Sequence, residues 1–513
     1  MQRSRFAALV LSATVLLAAC SSDKNGTAST TTRPAGGTTT SMVAVDRPAG
    51  PAAKVVRELT GKGGPFMGAL TPAAGMESAR YVEHEYEVSG SAVSYEAKGE
   101  LTADGRWNVQ PTTDKGDYRT RIVVRRPSDA AKANGTVLVE WLNVSGGIDA
   151  NPDYAYTEAE ILRGGYTWVG VSAQSIGIEG GPVAVPIAPD NPLVSSVSGK
   201  GLKKIDPARY GELSHPGDQF SYDMYTQIAR ALRSDDGTVL GGIRIGRMLA
   251  IGESQSAFAL TTYANGIQPL TEEFDGFLIH SRGGAPLPLS GGDRPNIDIA
   301  SAIIGTPTRI RTDLRAPVLM AQSESDVVGV LNFLPARQPD SDTVHTWEMA
   351  GTAHVDKFLI GAVADSFDCG VAINAGPANI ILKAALRSLD AWVRNGTPPP
   401  SAKPFETEQQ EGETRYVRDD HGIVLGGVRT PPVDVPTEIL SGTPGPSSNI
   451  ICMLTGSTIP MTPTELGKLY ESAKAYEAKY AKSADAAIEA GFVLTEDRKA
   501  LMDMSQPDLV GKG

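Results

Sequence analysis

The chain has 513 residues, of which 41% are hydrophobic and 21% charged, with a net charge of -12. That length suits one large core with additions rather than one small domain. The composition is ordinary for a globular protein, and the negative balance argues against a nucleic-acid partner, because phosphate binding needs clustered Lys and Arg.

Arg3 and Arg5 precede a short apolar run, Phe6 to Leu17, which ends in Leu17-Ala18-Ala19-Cys20. The run is too short to cross a bilayer comfortably and has the layout of an export signal. The small residues before Cys20 resemble the lipobox of bacterial lipoproteins. In those proteins the cysteine becomes the mature N-terminus and carries a lipid. Residues 1–20 are therefore expected to be a lipoprotein signal peptide. The protein is expected to be exported and lipid-anchored at Cys20 to the outer side of a bacterial membrane. No later segment has about 20 unbroken apolar residues, so the lipid would be the only anchor. Residues 21–50 are rich in Ser, Thr, Gly, Ala and Pro and read as a disordered tether.

Residues 51–513 are expected to fold together. Alternation of apolar and polar residues predicts half-exposed strands over 81–88 and 118–124. From there strands and helices alternate. Strands are predicted over 136–141, 166–172, 247–251, 276–280, 317–321 and 344–349, and helices over 154–163 and 221–233. The first of these helices is closed by Gly164-Gly165. This order implies an α/β fold: a mostly parallel sheet with helices on both faces, preceded by extra N-terminal strands. A helix over 372–395 and a helical stretch over 462–505 form a C-terminal extension.

Gly252-Glu253-Ser254-Gln255-Ser256 follows a predicted strand and opens a predicted helix, the context of a nucleophile elbow. The turn is tight, so the residues two before and two after Ser254 must be small, as Gly252 and Ser256 are. A serine needs a base. Of six histidines, His354 lies just after the last predicted parallel strand, where hydrolases of this fold carry it. His280 ends an inner strand and reads as structural. His84, His345 and His421 have no evident partners, and His215 has only a weak claim to a pocket. The acid belongs between nucleophile and base, after a strand. Asp326 in Ser323-Glu324-Ser325-Asp326 has that spacing, and Glu324 is the alternative. The oxyanion hole is assigned to the backbone N–H of Gln255 and to that of Asn143, with Val144 as alternative. Two segments, 175–220 and 281–316, stand as candidate cleft-formers.

Glu140-Trp141-Leu142-Asn143-Val144-Ser145-Gly146-Gly147, the elbow, Ser323 to Asp326, Ala350-Gly351-Thr352-Ala353-His354 and Gly427 to Pro436 together resemble a bacterial α/β-hydrolase domain family, from about residue 80 to 505. The resemblance implies the α/β-hydrolase fold and hydrolysis of carboxylic esters, with a small-molecule or lipid-like ester as substrate. It names no particular ester. No cofactor is expected, and no metal: there is no H-E-x-x-H and no cluster of Cys or His at ligand spacing. Gly241 to Gly246 precedes a strand and is a poor phosphate cradle. With Cys20 lipidated, Cys369 and Cys452 are the remaining pair, and export favours a disulfide between them. Competing readings are a catalytically inactive binding lipoprotein on the same scaffold and a serine peptidase or amidase.

Overall fold

Nine strands form one sheet: β1 (Lys54–Glu58), β2 (Tyr81–Ala97), β3 (Val109–Pro127), β4 (Thr136–Trp141), β5 (Thr167–Val171), β6 (Arg247–Glu253), β7 (Gly276–His280), β8 (Val318–Ser323) and β9 (Val344–Met349). Their order across the sheet is β1-β2-β3-β5-β4-β6-β7-β8-β9. This is a computed structural model that describes residues 46–68, 75–187, 192–292 and 294–511. Arg47–Gly513 form one compact unit, and of Met1–Asp46 only the last residue is described. The signal segment, Cys20 and most of the tether therefore lie outside the described residues.

From β5 to β9 all neighbours pair parallel, whereas β1, β2 and β3 pair antiparallel and join the sheet through β3–β5. The parallel strands are almost wholly buried because helices cover both faces. Alternate side chains of each strand serve opposite layers. Val137, Ala250, Phe277 and Met320 pack with the helix Ser221–Arg233 and the helix Gln255–Thr262. Leu138, Leu249, Leu278 and Leu319 pack with the helices Pro152–Gly164 and Ala378–Asn395.

Three expectations change. The antiparallel pair is longer than predicted and less exposed: Glu85, Glu87 and Arg121 are buried. The segment 207–212 covers this face, with Arg209 and the Tyr210 hydroxyl both bonded to Glu85. Arg121 meets Glu85 at 2.7 Å and Asp149 at 2.9 Å, so the buried charges compensate one another. The helix predicted from 372 starts at Ala378, because Pro377 restricts Gly376 to non-helical conformations, and Ala372 instead bridges Thr458. The stretch 462–505 is broken into pieces, among them Pro463–Leu469 and Ala473–Glu489, with Gly491 in the left-handed region after the second. Two small antiparallel pairs were not foreseen: β10 (Thr407–Gln410) with β11 (Glu413–Tyr416), and β12 (Glu438–Ser441) with β13 (Ser457–Pro460). Cys369 and Cys452 form a disulfide with Cα atoms 5.3 Å apart. Among the described residues no helix is long and apolar enough to cross a membrane.

Candidate active site

The chain runs from β4 outward to β5, then crosses back to β6 on the other side of β4. The reversal opens a crevice at the carboxyl ends of β4 and β6, the place where open α/β sheets bind ligands. Ser254 sits there, between β6 and the helix Gln255–Thr262, with φ 57° and ψ -122°. A non-glycine residue in this region is strained and must be held by its surroundings. Two contacts hold it. The Ser254 N–H donates to the His280 carbonyl at 3.0 Å, and its own carbonyl accepts from the Phe258 N–H at 3.1 Å. A Cβ at position 252 would lie 2.9 Å from Ser256 Cβ and 3.0 Å from Leu260 Cδ1. Small residues at 252 and 256 are thus a packing requirement of the bend.

His354, on the loop after β9, places Nε2 2.8 Å from Ser254 Oγ, and its Nδ1 lies 2.7 Å from Asp326 Oδ1. The other Asp326 oxygen accepts from the Ser281 hydroxyl at 2.7 Å and the Ser323 N–H at 2.5 Å. Burial opposes charge on Asp326, but His354 and these donors outweigh it and hold the carboxyl below its ordinary pKa. Burial likewise opposes charge on His354, yet the carboxylates of Asp326 and Glu253 carry its pKa above the ordinary imidazole value. Glu324, the alternative acid, is engaged elsewhere. It accepts from the N–H groups of Gly351 (2.7 Å) and Gly442 (3.1 Å) and pairs with Arg418 at 3.2 Å. It ties the loop after β9 to the C-terminal segment.

A family model described as an alpha/beta hydrolase domain matches residues 32–503. The chain belongs to this family. No curated protein matches it. Several solved structures resemble it. One is a fungal esterase from Rhizomucor miehei: 12% identity, TM-score 0.30, covering 63% of this chain and 88% of that one. A second is an α/β serine hydrolase without a lid from Xanthomonas campestris: 13%, 0.26, 54% and 89%. A third is a thermostable esterase from Pseudomonas putida: 12%, 0.28, 60% and 83%. Likenesses this distant carry no assignment of activity.

In this hydrolase domain the backbone donor expected at Asn143 is already spent. Its N–H donates to the Ala150 carbonyl at 2.9 Å, in an isolated bridge that closes the loop after β4. The Asn143 side chain instead donates to the Glu253 carbonyl (3.1 Å) and to Glu253 Oε2 (3.2 Å), pinning that loop to the elbow. The alternative, Val144 N–H, donates to Gln255 Oε1 at 3.1 Å. The Gln255 N–H opens its helix, where no earlier helical carbonyl is available to it.

The sequence did not single out Glu253. It is buried, and its Oε1 lies 3.3 Å from His354 Nε2, the same nitrogen that faces Ser254. Burial raises its pKa to about 7, against the pull of His354 and His280. The only prior signal was its position next to Ser254. Four of the other five histidines have side-chain partners: His280 Nδ1 is 2.9 Å from Asp153, and His84 Nδ1 is 2.7 Å from Glu58, a partner the sequence did not reveal. His345 faces Asp340 at 3.6 Å. His215 bonds the Ala173 carbonyl and the Gly217 N–H.

A cavity of about 310 Å³ opens at Ser254 and His354. Of the two candidate cleft-formers, 175–220 contributes walls through Val185, Ile187, Val194 and Val197, whereas no described residue of 281–316 lines it. Further walls come from 66–68 and 451–454, which the sequence did not indicate.

Proposed function

We propose that this protein is a serine hydrolase that cleaves carboxylic esters through an acyl-enzyme on Ser254. The observation that carries the reading is the chain of short contacts from Ser254 Oγ through the His354 ring to Asp326, at the mouth of a cavity. His354 takes the Ser254 proton as the hydroxyl attacks the ester carbonyl. Asp326 keeps the other ring nitrogen protonated and stabilises the imidazolium. The N–H of Gln255 stabilises the tetrahedral oxyanion, aided by the positive end of its helix. The Val144 N–H is the second donor, freed when the Gln255 carboxamide swings off it. His354 then protonates the leaving alcohol, and water activated by the same ring releases the acid.

The test is a fluorophosphonate probe together with p-nitrophenyl ester turnover, on the wild type and on Ser254→Ala. Wild-type labelling with ester turnover is expected. The substitution should abolish labelling and cost about 10⁶-fold in kcat. Folded wild type with neither label nor turnover would favour the inactive scaffold. Labelling with turnover of amides but not of esters would favour a peptidase.

The first twenty residues support a location. Arg3, Arg5, the apolar run and Cys20 fit an exported protein held by a lipid on Cys20 at the outer side of a bacterial membrane. Metabolic labelling with a fatty-acid analogue should mark the wild type and not Cys20→Ser. Equal labelling of both sinks this placement.

A further inference from the structure

The cavity lining is mainly apolar. Ser254, His354, Glu253, Asn143, Ser145 and Asn151 are its polar residues. Most of the rest is aliphatic, with Ile148, Val185, Ile187, Val355, Leu359 and Leu454 among the contributors. Among the described residues no lysine or arginine is part of the lining, and the ionisable side chains there are His354 and Glu253.

Resting on the reading of Ser254 as nucleophile, we propose that the cavity takes one uncharged aliphatic chain of the ester, and that Glu253 excludes chains ending in a carboxylate. An aliphatic chain entering these walls leaves water at no polar cost. Each methylene buried in full is worth about fourfold in kcat/KM. A chain-end carboxylate meets the opposite conditions. It loses its hydration, finds no lysine or arginine among the described lining residues, and shares the space with the Glu253 carboxyl group. Glu253 cannot turn away freely. Its Oε2 is held by the Asn143 amide, and its Oε1 faces the His354 ring. The catalytic base and the excluding acid are therefore fixed side by side.

Groups facing Glu253 come from several elements. His354 lies on the loop after β9, Asp326 after β8, His280 at the end of β7 and Asp153 in the helix Pro152–Gly164. Asp326, held below its ordinary pKa, adds to the negative field and His354 offsets it, whereas burial raises the pKa of Asp153 to about 8 and lowers that of His280, which favours their neutral forms.

The test measures kcat/KM of the full chain for three series: p-nitrophenyl esters from acetate to octanoate, acetates of alcohols of rising length, and p-nitrophenyl hemisuccinate beside the uncharged pentanoate of equal chain length. The expected result is a rise of up to about fourfold per methylene in one series and a hemisuccinate roughly a hundredfold below pentanoate. A rise among the acyl esters places the chain on the acid side, and a rise among the acetates on the alcohol side. Ile187→Trp, on a loop wall, should lower the hexanoate-to-acetate ratio by about tenfold. Glu253→Gln should narrow the gap between hemisuccinate and pentanoate. Flat series on both sides overturn the proposal, and so does hemisuccinate equal to pentanoate where the acyl series rises, or 4-acetoxybutanoate equal to pentyl acetate where the acetates rise. If fluorophosphonate still labels Ser254 in that case, the nucleophile reading stands and this inference alone falls. If neither label nor turnover is seen, both fall.

Discussion

The carboxyl edge of the sheet and the aliphatic wall above it are built in opposite ways. On the edge, each candidate site residue lies within a few residues of the strand that carries it: Ser254 after β6, Asp326 after β8, His354 after β9. The wall draws on 66–68, 145–155, 185–197, 355–363 and 451–454, and none of these pieces forms a surface without the others. The edge is rigid because parallel strands hold it by regular hydrogen bonds. The wall is held by cross-links between separate segments, among them the Cys369–Cys452 disulfide, the Val355 N–H bonded to the Leu454 carbonyl at 3.1 Å and the Val185 N–H bonded to the Ser145 carbonyl at 3.0 Å. Chemistry should therefore be sensitive to single atoms on the edge, and substrate choice to the integrity of the cross-links.

Two acids two residues apart give the sharpest way to break this contrast. Asp326→Asn should lower kcat by about 10⁴-fold with the fold intact, by losing the correct imidazole tautomer. Glu324→Gln should instead cost about 3 kcal/mol of stability, because Arg418 and two backbone N–H groups lose a buried charged partner. The folded fraction of that variant should still react with fluorophosphonate. Denaturant midpoints and single-turnover rates on the two variants check this, and equal kinetic losses would erase the distinction.

The disulfide tests the wall. Cys369 and Cys452 are 83 residues apart in sequence, and Cys369→Ala with Cys452→Ala should cost about 4 kcal/mol by the chain-entropy argument. Ile451 and Leu454 flank Cys452 in the lining, so preference for long chains should weaken more than acetate turnover. Urea melts and chain-length ratios, with and without reductant, measure both effects.

The smallest effect is on pH. His354 must be neutral to accept the Ser254 proton, so kcat/KM falls on the acid side as the ring protonates. Asp326 and Glu253 hold its pKa above the ordinary value against the opposing effect of burial. Activity is therefore lost as pH drops through that raised value. Glu253→Gln removes one of the raising charges and should move the acid limb to lower pH. An unmoved or raised limb would mean that Glu253 does not act electrostatically on His354.

Much of the edge was legible. The parallel strands read as short, nearly unbroken apolar runs, and the small residues at 252 and 256 marked a bend that only small side chains permit. Asp326 was legible as a spacing and preferred on it, but the separate engagement of Glu324 was not legible. Glu324 is as buried as Asp326, and its partners Arg418 and Gly442 lie about a hundred residues further on. Asn143 failed for a similar reason. Its place after β4 fits a donor loop, but the bridge to Ala150 depends on how the loop folds back. The helix before 378 was overextended because apolar spacing continued past Pro377, where backbone sterics forbid it.

By itself the sequence determined the succession of strands and helices, the bend at Ser254 and the chain order of Ser254, Asp326 and His354. These follow from periodicity and steric rules that act over a few residues. The tertiary structure alone decided which amide N–H groups remain available, that Glu253 shares an imidazole nitrogen with Ser254, and what lines the cavity. Each of those depends on groups far apart in sequence, and no local pattern encodes which of them will meet.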